Sequence, residues 1–344
     1  MKMNWSSSEA DHSEYCAVND QMEPFTYFYY MIFLTGIIGS SVALWAFKQH
    51  GKNNSQCINI YLLNLLTSDF LLTLALPFKI AVDLGIAPWK LKIFHCQFSA
   101  CLIYINMYAS ITFLAFVSVD RYLQITQSSK LLRIQNVGFA KMMSGVVWGL
   151  VLFIMVPNML IPIKTIEEKT LVTCAEFKQE LGLNWHILTN FICIAIFLNA
   201  SAAILISNWL VLKRLCRKRN YENHHNVKQA MFNILVVTLG YVVCFVPYHI
   251  VRTPYTFTQN KVITDCSLKR SLFLAKESTL LLSVLNLCFD PVLYYHLSHS
   301  FRQKVSEAFK PQRQPSKKTQ FRLKNETCSI KEKETLTTVE NDLK

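Results

Sequence analysis

The sequence predicts an all-α membrane protein, a seven-transmembrane helix bundle followed by a short amphipathic eighth helix. Of 344 residues, 52% are hydrophobic and only 17% charged, an apolar excess too large for a water-soluble domain of this length. The apolar residues also come in seven blocks of roughly 20 to 28, the length a helix rising about 1.5 Å per residue needs to cross about 30 Å of hydrocarbon. The formal net charge of +13 sits mainly in the segments between blocks, which points to an anionic membrane face and away from nucleic acid.

The spans run from Phe25 to Phe47, Cys57 to Leu84, Ile93 to Ile125, Phe139 to Ile163, Asn184 to Leu212, Val227 to Tyr255 and Ser271 to Leu297. An odd number places the two ends of the chain on opposite sides. Lys48 to Gln56, Arg121 to Lys141, Lys213 to Lys228 and the tail after Ser298 are basic, whereas the leader is net acidic. The positive-inside rule therefore puts the amino terminus outside and the tail in the cytoplasm. The leader, residues 1–24, shows no apolar stretch of its own, so span one is expected to act as the insertion signal.

After the seven-span domain, residues 25–297, the stretch 298–310 places Phe301, Val305 and Phe309 four apart with Arg302 and Lys304 between them. That spacing suits a helix lying on a membrane surface. Residues 311–344 are rich in Lys, Glu, Ser and Thr, too poor in apolar surface to offset the entropy of ordering, and a disordered tail is expected.

Eleven cysteines sort by topology, because only Cys16, Cys96, Cys174 and Cys266 fall on or near the outer, oxidising side. A Cys96–Cys174 bridge would tie the loop between spans four and five to the mouth of span three, and Cys16 with Cys266 would tie the leader to the loop after span six. Free thiols are the alternative, and topology alone does not fix the pairing. Asn4-Trp5-Ser6 is a glycosylation sequon in the outer leader.

Ionisable residues inside apolar spans are costly and mark function by default. Asp69 in span two and Asp290 in span seven can both face the interior and share water or a sodium-like cation; a purely structural polar network is the alternative. Asp120-Arg121-Tyr122 closes span three, where an arginine can be held by its neighbouring carboxylate and released to a partner. Arg121 stands 25 residues after Cys96, about 37 Å of helix, so the two residues join opposite faces.

These residues resemble the class A, rhodopsin-like G-protein-coupled receptors over all seven spans. The markers are Asn64 and Asp69, Cys96, Asp120-Arg121-Tyr122, Trp148, Cys244-Phe245-Val246-Pro247, and Asp290-Pro291 with Tyr294. Arg252 and the run Lys276-Glu277-Ser278-Thr279-Leu280 are similar to the purinoceptor branch, whose members answer to adenine nucleotides and nucleotide sugars. That likeness implies ligand contacts at Tyr104, Asn158, Lys178, His186, Asn190, Arg252 and Lys276. It also implies a heterotrimeric G-protein partner, of the inhibitory class. The chain departs from the family pattern at Ser40, Ala200 and Asn208, where Asn, Pro and Tyr are usual; the family uses that last tyrosine to steady the released arginine in the active state.

Argued from the residues, Lys79, Arg252 and Lys276 form a ring of cations at the outer ends of spans two, six and seven, with His249 one turn from Arg252 on nearly the same face. Such a ring suits a small anionic ligand, with Arg252 as a bidentate fork and Tyr104 and Tyr108 as aromatic surface. A peptide carboxylate or an acidic lipid meets the same charges, and the alternative is that these side chains snorkel or pair with Glu277. Span six can bend at Pro247, with Phe245 as a rotating plug beneath the ligand. Ser316, Thr319, Ser329, Thr335, Thr337 and Thr338 of the tail could accept phosphate and recruit an arrestin-type partner. A transporter would need matched half-chains with interrupted helices, and an enzyme a nucleophile with its base or a metal set. Neither pattern is present, and no cofactor is implied.

Overall fold

A computed structural model of the protein describes residues 22–48, 57–126, 136–164, 173–174, 176–218, 224–259, 263 and 265–309. Asn4, Cys16 and the tail from residue 310 onward, with its candidate phosphorylation sites, lie outside them. Seven helices are long and apolar enough to cross a membrane: α1 (Glu23–Lys48), α2 (Cys57–Asp83), α3 (Trp89–Thr126), α4 (Val137–Leu160), α5 (Glu180–Lys218), α6 (His224–Gln259) and α7 (Cys266–Leu297). The short α8 (His299–Phe309) follows, as the amphipathic spacing predicts.

Five of the seven helices exceed the apolar spans, because hydropathy registers only the part that meets lipid, while α2 and α4 stop at Asp83 and Leu160, short of the expected Leu84 and Ile163. Thus α5 continues past Leu212 to Lys218, and α6 starts at His224. Two are irregular in ways hydropathy does not show. A π-helical turn, His95–Ser99, interrupts α3 just where Cys96 must reach its partner, and α7 is broken at Leu285 before resuming at Asn286.

The central pillar is α3, with 72% of its most apolar window buried against 28 to 44% for the other spans. Its inward residues pack against α2 and α5. Polar ties fix the register: Trp148 of α4 donates to Asn64 Oδ1 of α2 at 2.8 Å, and Asn64 Nδ2 donates to Ser144 Oγ at 3.1 Å. Between α1 and α7 the approach is closer still, since a Cβ at Gly39 would sit 2.5 Å from Pro291. Membrane helices lacking a hydrophobic drive to associate use small residues in this way.

One end of the bundle is closed by a hairpin. Cys174 is bonded to Cys96, with Cα atoms 5.2 Å apart, and an antiparallel bridge pairs Ile163 with Lys178. Cys266 at the start of α7 is also disulfide-bonded, to a partner outside the described residues, where its expected partner Cys16 lies. Cys101, Cys193 and Cys244 are free and buried, as small core residues would be, whereas Cys288, expected to be the same, is only half-buried and meets Thr35 Oγ1 at 3.0 Å.

Candidate functional site

Beneath the hairpin lies a cavity of about 240 Å³, walled by α2, α3, α4, α5, α6 and α7. Tyr104, Asn158, Lys178, His186, Arg252 and Lys276 all line it. Asn190 and His249 do not. His249 stacks flat on Phe197, ring centroids 3.9 Å apart, and its Nδ1 meets the Phe245 carbonyl at 2.8 Å. Asn190 is buried with its Oδ1 unpartnered among the described residues.

Arg252 is 6% exposed. One guanidinium nitrogen donates to Tyr108 Oη at 2.9 Å and to Tyr248 Oη at 3.2 Å, and the group lies over the Tyr104 ring, 5.0 Å from its centroid. No carboxylate among the described residues meets it. The phenols therefore hold one nitrogen of a planar five-donor fork, and Arg252 lines the cavity.

The expected ring of equivalent cations is not uniform. Lys79 is paired with Asp83 at 2.9 Å and with Glu277 Oε2 at 3.2 Å, and it lies over the Tyr29 ring. Lys276 is paired with Glu277 Oε1. The α2–α7 wall thus balances its own charge, two lysines against two acids. Arg252 of α6 and Lys178 of the hairpin have no acidic partner among the described residues. Asp83 was missed in the sequence, although an acid four residues after Lys79 is a helical pairing signal; pairing with Glu277, the alternative to an open ring, is what the structure shows for both lysines, with α2 and α7 bringing Lys79 to it.

Lys178 belongs to the hairpin, where its backbone is fixed by the bridge to Ile163 and the adjoining bond from Lys164 N to Phe177 O at 2.8 Å. Burial lowers its ammonium pKa to about 8, with the Arg252 charge acting in the same direction and Cys101 against it.

Deeper in the bundle, Asp69 and Asp290 share one buried cluster. Asn106 Nδ2 and Tyr294 Oη donate to the two oxygens of Asp69 at 3.2 and 2.7 Å, and Asn286 donates to Asp290 Oδ2 at 2.6 Å. Asp290 Oδ1 has no donor among the described residues, a position suited to water or a small cation. Pro291 follows at the α1 contact.

At the far end, Arg121 does not pair with Asp120 as its sequence neighbour suggests. Asp120 accepts from Gln124 Nε2 at 2.6 Å, while Arg121 donates to Gln124 Oε1 at 3.0 Å and to the Leu297 carbonyl of α7. Tyr122 packs on the apolar cluster of Val211, Leu215, Val227 and Ile234 that holds α5 and α6 together. Above it Asn208 donates to Thr238 Oγ1 of α6 at 2.8 Å. Phe245, fully buried, packs on Tyr241, and Pro247 lies inside α6.

Residues 39–294 match the family of 7 transmembrane receptors (rhodopsin family). The chain is 65% identical over 314 residues to the human protein named G-protein coupled receptor 171, covering 91% of this chain and 98% of that one. It is 36% identical over 289 residues to bovine purinoceptor 14, covering 83% of this chain and 85% of that one. With human purinoceptor 13 the identity is 38% over 280 residues, covering 80% and 78%. All three are receptors rather than enzymes.

Proposed function

We propose, on the premise that this chain belongs to the rhodopsin family of seven-transmembrane receptors, that it binds an anionic extracellular ligand in the cavity beneath its hairpin and activates an inhibitory-class heterotrimeric G protein. The observation that carries the ligand class is that Arg252 and Lys178 line one cavity with no acidic partner among the described residues, while Lys79 and Lys276 in the same cavity are balanced by Asp83 and Glu277. A fork with open donors binds a phosphate or carboxylate in bidentate fashion, and the lysine adds a point charge. Relatives named purinoceptors share more than a third of the aligned residues, which makes nucleotides and nucleotide sugars the first ligands to test.

In this reading the protein crosses the plasma membrane with its leader outside and its tail in the cytoplasm, the basic segments lying on the cytoplasmic side. Ligand held by Arg252 pulls on Tyr108 of α3 and Tyr248 of α6 through their shared hydrogen bonds. Pro247 supplies no helical donor to the Val243 carbonyl, so α6 bends there at low cost. An outward swing of the Arg121 end then opens a groove for an amphipathic helix of the G protein. The ligand drives this only to the extent that it prefers the open state.

The test is guanine-nucleotide exchange on an inhibitory G protein in receptor membranes, with nucleotides, nucleotide sugars, acidic lipids and carboxylate-ended peptides, beside Arg252→Ala at matched surface level. A nucleotide response lost in the variant supports the reading. A response confined to peptide or lipid moves the ligand class, and an undiminished Arg252→Ala response removes the anion site.

A further inference from the structure

We propose that the last carbonyls of α7 form the latch that holds α3 and α6 together at the Arg121 end, with Asn233 as the positioning residue on α6. The final carbonyls of a helix lack intrahelical donors and carry the negative end of its dipole. Here two neighbouring ones are taken by two different helices. Arg121 of α3 donates to the carbonyl of Leu297, and Asn233 Nδ2 of α6 donates to the carbonyl of His296 at 3.1 Å. Beside this bond the Phe232 ring meets the His296 ring edge-on, centroids 5.3 Å apart.

An ion pair between Arg121 and the facing half of α6 is impossible, because the sequence from Val227 to Cys244 contains no acidic residue. The tie therefore passes through α7, and α6 cannot swing outward without breaking the Asn233 bond and the Phe232–His296 contact.

The latch is incomplete. Arg121 Nε, Asn233 Oδ1 and His296 Nδ1 are buried without partners among the described residues. Buried polar atoms left unsatisfied penalise the state that buries them, so the closed arrangement restrains α6 without locking it. Asn233 touches neither the cavity nor the cluster around Asp69, and the inference stands apart from the identity of the ligand.

The experiment compares Asn233→Ala with the full-length wild type, purified in lipid nanodiscs without ligand. Hydrogen–deuterium exchange is read over the Val227–Cys244 half of α6 and, separately, over its Pro247–Thr258 half. Ligand-free guanine-nucleotide exchange is measured on a panel of heterotrimers. The latch requires uptake about tenfold faster in the first half alone, as local opening of a weakened unit would give, together with a several-fold rise in ligand-free exchange on at least one heterotrimer. Equal change in both halves reports general destabilisation and overturns the proposal. So does unchanged uptake, or faster uptake without any rise in ligand-free exchange. Asn233→Ser, which keeps a small polar group too short to reach α7, decides the matter by the same readings should Asn233→Ala fail to reach the surface.

Discussion

Lys178 and Arg252 face the same cavity but answer differently to pH. A guanidinium keeps its charge throughout the working range, whereas the Lys178 ammonium, lowered by burial to about 8, loses its charge between neutral and mildly alkaline pH. Anion affinity is therefore expected to fall as pH rises from about 7 to about 9, a range centred on that titration. Stability moves the other way. Above about 8 the folded chain has released a proton that the unfolded lysine keeps to about 10.5, so this group's contribution to folding rises over that window. Lys178→Arg should flatten the affinity profile, and radioligand binding at several pH values checks it; a slope that survives in the variant assigns the titration elsewhere. Arg252→Lys keeps the charge but not the fork and should weaken anion binding about 10- to 100-fold, the worth of a lost charge-assisted hydrogen bond at about 1.5–3 kcal/mol. Arg252 and Lys276 were legible in the sequence because charges in apolar spans stand out. Their unequal state was open in the sequence, where pairing with Glu277 stood as the alternative; it took the fold to show that Glu277 neutralises Lys276 and also Lys79, 198 residues away, and leaves Arg252 without an acid among the described residues.

At the scale of the helices, small residues set the spacing. A Cβ at Gly39 meets the rigid Pro291 ring of α7, while one at Gly145 or Gly149 of α4 meets nothing within 4 Å. Gly39→Ala should cost about 1–3 kcal/mol of stability through overpacking, whereas Gly145→Ala should be neutral or gain up to about 1 kcal/mol from helix propensity. Thermal melting in one detergent checks both, and equal shifts would show that the α1–α7 contact does not set the spacing. Helix number and order were readable because each span needs its own apolar run. The π turn at His95–Ser99 and the break at Leu285 were not, since both are changes of hydrogen-bond register that leave composition untouched. The Arg121 contact was misjudged because the partners that compete for it lie outside the triplet: Gln124, one turn on, takes Asp120, and Arg121 reaches the Leu297 carbonyl of α7.

Under the proposed function, the cavity and the Arg121 end communicate through an inward and an outward arrangement of α6, so the balance between those arrangements sets the output. Asn208 weighs on that balance. It is 3% exposed and donates to Thr238 across the α5–α6 seam at 2.8 Å, a tie that holds α6 inward, and it stands where family receptors carry the tyrosine that steadies the released arginine. Both properties favour the closed state. Asn208→Ala should remove the tie and raise ligand-free guanine-nucleotide exchange several-fold, since a hydrogen bond contributes about 0.5–1.5 kcal/mol. Asn208→Tyr removes the same tie and offers a phenol to Arg121 after α6 has moved, so its rise should exceed that of Asn208→Ala, provided that melting shows the larger ring is accommodated. Equal increases in the two variants would mean that the tie alone matters and that Arg121 needs no tyrosine in this chain. No increase in either would mean that the α5–α6 seam bears none of the restraint, leaving it to the contacts of α7 with Arg121 and Asn233.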